Sequence, residues 1–185
     1  MNLTELTEEQ KKQGLTQSQK DKCFVTLGIF KTLIPEYQKN KENPETHKIF
    51  LSLMRSPIFD ITSTKFWKTG LRSESAKHLI ASGETKGNSK LLTTEHFIPR
   101  TIAMAYVMDE ICANPEMDVD VFVSLIKKYG GTIVLSSSEH TKVTTMARNT
   151  GRCNYVFYND CKIIVDGLED YVNNQGLFEI VSKKL

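Results

Sequence analysis

"GGTIVLSSSEHTK", residues 130–142, changes character halfway along. Thr132, Ile133, Val134 and Leu135 are β-branched or apolar residues that suit a pleated, buried surface, and two glycines set them off from what precedes. The serines that follow are helix-capping residues, and "SSEHTKVTTMARN" continues with helical composition. The stretch predicts a short strand running directly into a capped helix.

Upstream, Asp118 caps "VDVFVSLIKKYGG", a helix closed by Lys127 and Lys128 at its negative end and by the Gly130-Gly131 pair. Before that, Pro99 stands at a first-turn position, and Ile102, Ala103, Ala105, Tyr106, Met108 and Ile111 carry an apolar helix to Asn114-Pro115. Ser73 opens a short helix through Ala76, Leu79 and Ile80 that stops at Gly83. "SPIFDITSTKFWKTGL", residues 56–71, reads as an extended link or a strand with Trp67 as an anchor, and the lead-in to residue 95 offers at most one short strand.

The N-terminal part is helical. A first segment begins near Thr7, and a second, capped by Thr16 or Ser18, carries the stripe Cys23, Leu27, Phe30, Ile34 and Tyr37 and bends near Pro35. "QKNKENPETHK" forms a solvated turn containing His47, and Pro44 opens a helix with Ile49, Phe50, Leu53 and Met54 as its core face. At the other end, "CNYVFYNDCKIIVDG" carries two β-rich runs about Asn159-Asp160, a hairpin signal, and "LEDYVNNQGLFEI" a last short helix stopped at Gly176. The class is helix-rich α+β, with an N-terminal helical layer over residues 1–56 and an α+β core over 57–185 holding a small β element, in one compact domain overall.

The 185 residues suffice for a core without disulfides or metals. Twenty-four basic against 22 acidic side chains leave a net charge of +2, which neither excludes nucleic acid nor advertises it. Cys23, Cys112, Cys153 and Cys161 make no CxxC pair and read as reduced thiols, and no window approaches the roughly 18 apolar residues of a membrane span. A soluble, cytoplasmic protein with no membrane partner is expected.

Chemistry concentrates at two Glu-His pairs. "TTEHFIPRT", residues 93–101, sets Glu95, His96 and Arg100 around Pro99, and Glu139-His140 lies in the first turn of the helix after the "TIVLSS" strand, with Lys142 just beyond. Adjacent side chains on an extended segment address opposite faces, so a neighbouring Glu and His can serve different partners. Glu139, three positions after Ser136, is equally explained as a capping residue. As polar residues at a helix entrance, Glu95 and His96 have a purely structural reading too.

The Glu95-His96-Phe97-Ile98-Pro99 stretch resembles the acidic-His-x-x-Pro element of HNH, or ββα-metal, nucleases, with the Glu139-His140 helix start in the place of their second element. Glu stands where Asp is usual, and the two elements lie far apart in this chain. The resemblance implies an endonuclease dependent on a divalent ion, Mg2+ or Mn2+, with Glu95 and His140 binding the metal, His96 activating water, and Arg100 and Lys142 meeting phosphate. Arg148, Asn149 and Arg152 form the basic loop suited to phosphates of nucleic acid. From Lys86 to Arg152 eight cations face seven acidic residues, so any nucleic acid must be held by charge segregated on folding.

No GxxxxGK[ST], GxGxxG, GxSxG or HExxH motif occurs. A Cys-His hydrolase would need Cys112, Cys153 or Cys161 beside His96 or His140. The alternative to a nuclease is a non-catalytic binding or regulatory module, of the kind mobile elements or phages encode, whose N-terminal helix mediates homo-oligomer or partner contact.

Overall fold

The computed structural model describes residues 15–60, 68–150 and 153–182. The helices are α1 (Gln17–Thr32), α2 (Ile34–Lys41), α3 (Pro44–Asp60), α4 (Glu74–Ala81), α5 (Arg100–Ala113), α6 (Val119–Tyr129), α7 (Ser137–Thr150), α8 (Leu168–Asn174) and α9 (Phe178–Ser182). The strands are β1 (Lys68–Arg72), β2 (Leu92–His96) and β3 (Thr132–Ser136). The helix-rich α+β class is therefore observed, with the sheet in the C-terminal half. The chain divides into two compact units, 1–67 with 100–130 and 68–99 with 131–185, so the helical unit takes in α5 and α6 beside the N-terminal helices.

In the helical unit, Thr16 caps α1 reciprocally: its hydroxyl accepts from the Gln19 amide at 3.2 Å while the Gln19 side chain accepts from the Thr16 amide at 2.9 Å. The expected stripe turns inward, with Cys23, Leu27, Phe30 and Tyr37 buried, and Phe30 meets Phe122 of α6 edge-on at 6.1 Å. Each such side chain stabilises by about 1.5–3 kcal/mol through the apolar surface it removes from water. Pro35, which has no N–H to give, marks the break between α1 and α2.

Two readings are corrected here. The turn at 38–48 shrinks, because α2 runs to Lys41 and α3 starts at Pro44. His47 is half-buried against Tyr37 at a ring distance of 5.4 Å, and burial, reinforced by the nearby Lys41 charge, pushes its pKa below the ordinary value. Tyr37 also meets Phe50 at 5.8 Å and hydrogen-bonds Asp109, which Lys41 reaches as well. With the 47/50/51/54 face of α3 turned toward that tyrosine, Ile49 and Leu53 point to solvent instead of the core.

The sheet unit has strand order β1-β3-β2, with β1 parallel and β2 antiparallel to β3. Flanked on both sides, β3 buries four of its five residues, which is why its sequence is nearly continuous in apolar and small polar residues. The hairpin expected about Asn159-Asp160 is overturned. Residues 154–157 form a 3-10 turn and 158–162 a tight turn, closed by the Cys161 amide to the Phe157 carbonyl and the Ile163 amide to the Tyr158 carbonyl. In helical geometry the consecutive Phe157 and Tyr158 can both be buried, whereas a strand would send them to opposite faces. The final helix stops before Gly176 as expected, and α9 follows it. The segment expected from Thr7 and the anchor expected at Trp67 lie outside the described residues.

Gly131 opens β3 where backbone and rings crowd. A Cβ there would stand 2.9 Å from the Phe97 ring and 3.1 Å from the Tyr171 hydroxyl, in the corner where those two rings meet edge-on at 5.8 Å. Gly131→Ala is expected to cost about 1–3 kcal/mol, the scale of overpacking a filled core. Urea unfolding monitored by circular dichroism checks it; an unchanged midpoint would contradict this packing.

Candidate functional site

The start of α7 is held by a capping box. The Ser136 hydroxyl accepts from the Glu139 amide at 3.3 Å, and Glu139 Oε2 accepts from the Ser136 amide at 2.9 Å and from its hydroxyl at 2.8 Å. The same oxygen takes a 2.6 Å hydrogen bond from Ser73, whose own hydroxyl accepts from the Ala76 amide to cap α4. One buried carboxylate thus joins the starts of two helices. Burial alone would raise its pKa, but the hydrogen bonds from Ser73 and Ser136 outweigh that and hold it below the ordinary value. Glu139 is a structural residue.

A second tie fixes α7 over β2. Ser137 Oγ donates to the Lys90 carbonyl at 2.5 Å and lies 3.2 Å from Thr93 Oγ1. From that start, Val143 and Ala147 follow at helical spacing as buried contacts, and α7 packs on both β2 and β3. His140 lies on the same side of the helix, above Glu95.

Glu95 is buried, only 3% exposed, in the middle of this arrangement. Its Oε1 accepts a 2.6 Å hydrogen bond from Tyr158, a charge-assisted length, and its Oε2 stands 3.6 Å from Nε2 of His140, whose side chain remains 33% exposed. Burial, then the negative charge of Glu95, pushes the Tyr158 phenol well above its ordinary pKa, so that it stays a donor. A buried carboxylate oriented by a phenol, beside a half-exposed imidazole, is an arrangement able to hold a cation or to steady a proton on the ring.

The two Glu-His pairs therefore meet, but through one member of each. His96 neighbours Glu95 on β2, pairing with Thr132 where Glu95 pairs with Ile133, and the pleat sends its side chain to the opposite face. Glu95 and His140, expected to share one ion, stand 3.6 Å apart, while His96 follows Glu95 on β2 with the opposite facing. Arg100 begins α5 in the helical unit, whereas Glu95, His140 and Lys142 belong to the sheet unit. Lys142 is exposed on α7; Arg148 and Asn149 lie near the end of that helix with side chains outside the described residues, as is Arg152 altogether.

Among the described residues no group of three or more His, Cys, Asp or Glu side chains is disposed to hold a metal ion. Glu95 and His140 nevertheless fit as two ligands, since donors about 2.1 Å from one ion lie roughly 3.0–3.5 Å apart. The thiols are poor nucleophiles: burial pushes Cys23 up to about 12 and Cys153 up to about 11, and Cys161, also raised, packs 3.4 Å from the Met146 sulfur. Tyr158 and Ser73 are the members that sequence reading missed. The available signal was a tyrosine within an apolar run, whose hydroxyl needs a partner once buried.

No protein-family model, curated protein or solved structure matches this chain. Among the described residues no helix is long and apolar enough to cross a membrane.

Glu139→Ala is expected to cost about 1–3 kcal/mol, because the buried Ser73 and Ser136 donors lose their acceptor. With a lowered folded-state pKa, the charge contributes fully above the ordinary value of 4.5 and is lost as pH falls through the folded value. The stability gap between wild type and Glu139→Gln should therefore be flat at neutral pH and close in acid. Denaturant midpoints across pH 3–8 check this, and a gap that widens on acidification contradicts it.

Proposed function

We propose that the sheet unit hydrolyses phosphodiesters of nucleic acid with a divalent ion, Mg2+ or Mn2+, and that Glu95 and His140 hold that ion. The observation that carries this reading is the 3.6 Å approach of a buried carboxylate to a half-exposed imidazole from a distant segment. When bound, such an ion neutralises charge on a phosphate and lowers the pKa of a water molecule. Tyr158 keeps the Glu95 carboxylate turned so that Oε2 stays toward His140. The exposed Lys142, with Arg148 and Arg152 further along the chain, supplies the cations for the phosphate backbone, and Asn149 an uncharged amide donor.

A second reading rests on the same contact. With Glu95 steadying its charged form, His140 itself moves the proton between water and the leaving oxygen, without an ion. In either reading a cytoplasmic location suits the reduced cysteines. Self-association through α1 is supported by the exposed Phe24, Val25 and Ile29 on its outer side.

The test is cleavage of single- and double-stranded DNA and RNA with Mg2+, Mn2+ or EDTA, by wild type, Glu95→Gln, His96→Ala and His140→Ala. His140→Ala and Glu95→Gln are expected to lower the rate at least about 100-fold, the scale on which metal-centre and acid-base residues act, and His96→Ala to leave it within a few-fold. Activity that survives EDTA but not His140→Ala assigns proton transfer to His140. Absence of cleavage under every condition assigns the chain to the non-catalytic binding class.

A further inference from the structure

Away from the Glu95 site, the helical unit holds a titratable side chain seated where its charged form does not fit. His47, the one histidine in the sequence of that unit, lies on the inward face of α3, and its Nε2 is sealed from solvent with no hydrogen-bond partner among the described residues. Buried polar atoms are nearly always paired. This ring instead packs on Tyr37 at 5.4 Å, tilted by 58°. A phenylalanine would make the same contact without the orphaned nitrogen, so what the imidazole adds is the ability to take up a proton near neutral pH.

Proton uptake works against this seat. Neutral imidazole carries one N–H, and with it on Nδ1 the buried Nε2 is only an acceptor; imidazolium has an N–H on both nitrogens, so a donor appears where no acceptor stands. The new charge must also leave water, and it arrives beside the Lys41 ammonium of α2. Asp109 of α5 favours the charge, but that carboxylate already accepts from Tyr37 at 2.8 Å and pairs with Lys41 at 2.5 Å. Burial, then Lys41, prevails and holds the imidazole below its ordinary value of 6.5. Of the other titratable groups near this cluster, Tyr37 on α2 and Cys112 on α5 are both raised and stay neutral, and α1, which also packs on α3, brings no charge that acts on the ring among the described residues.

We propose that His47 is an acid-sensitive latch: its neutral ring seats α3 against α2 and α5, and a proton taken from solvent unseats it. Those two helices are the main support of α3, so release uncovers Tyr37, Phe50 and Leu51. The direction follows from linkage. With a lowered pKa in the seated state, the hold is complete above the ordinary 6.5 and weakens as pH falls through the seated value. The latch lies in the helical unit and does not depend on the phosphodiester reading.

The experiment is hydrogen exchange of the full chain, followed by mass spectrometry at about pH 7.5 and about pH 5 and corrected for the intrinsic pH dependence of exchange, with peptides of α3 compared to peptides of α6 in the same unit. On acidification the α3 peptides should lose protection several-fold while those of α6 keep theirs. His47→Phe, which keeps the ring contact and cannot be protonated, should abolish the α3 response, and Lys41→Gln, which removes one of its causes, should shrink it. The NMR Cε1–H resonance of His47, identified by its disappearance in His47→Gln, should titrate below the ordinary histidine value. The latch is overturned by α3 protection that is the same at both pH values, by a His47→Phe chain that loses protection as wild type does, or by a His47 resonance that titrates at the ordinary value. Where His47→Phe does not fold, Lys41→Gln decides, and an undiminished response in that variant overturns the latch.

Discussion

One carboxylate oxygen on Glu139 gathers the hydroxyls of Ser73 and Ser136 and the Ser136 amide. Charged groups are buried only when such partners satisfy them, so the position of Glu139 constrains everything that supplies a donor. Ser73 is the residue after β1 and the cap of α4; Ser136 ends β3 and caps α7. The contact therefore joins the exits of two parallel strands and sets where α7 begins. The Ser137–Lys90 bond adds the third strand's approach to the same point.

From that fixed start the geometry of the Glu95 pair follows. Being the residue directly after Glu139, His140 turns about 100° further round the helix and faces β2 rather than the serines. There it meets the buried Glu95 carboxylate, which Tyr158 holds by a 2.6 Å hydrogen bond. The distribution of roles is unequal in a way that the similar local sequences conceal. Of two Glu-His neighbours, the Glu of the second pair is consumed by capping, and the His of the first is turned away by the pleat of its strand. What is left on one face is a Glu from β2 and a His from α7.

Much of this was legible without coordinates because it is local. The strand at 132–136, the Asp118 and Ser73 caps, the box of Ser136 with Glu139 and the inward stripe of α1 all follow from periodicity and from hydrogen bonds reaching three residues or fewer. Where the reading failed, a distant partner decided. The tail around Asn159 has the composition of a hairpin, yet Phe157 and Tyr158 bury together by turning helically. The inward face of α3 shifted because Tyr37, on another helix, attracts His47 and Phe50, leaving Ile49 and Leu53 outside.

The chain by itself therefore determined the strand at 132–136, the inward stripe of α1 and the caps at Thr16, Ser73, Asp118 and Ser136, since those choices compare each residue only with its near neighbours. Tertiary structure decided the partners of the charges: that Glu95 meets His140 and Tyr158, and that Glu139 meets Ser73. The reason is physical. Whether a side chain is a ligand, a cap or a solvated surface group depends on which face of a strand or helix is covered, and the covering element can come from anywhere along the chain.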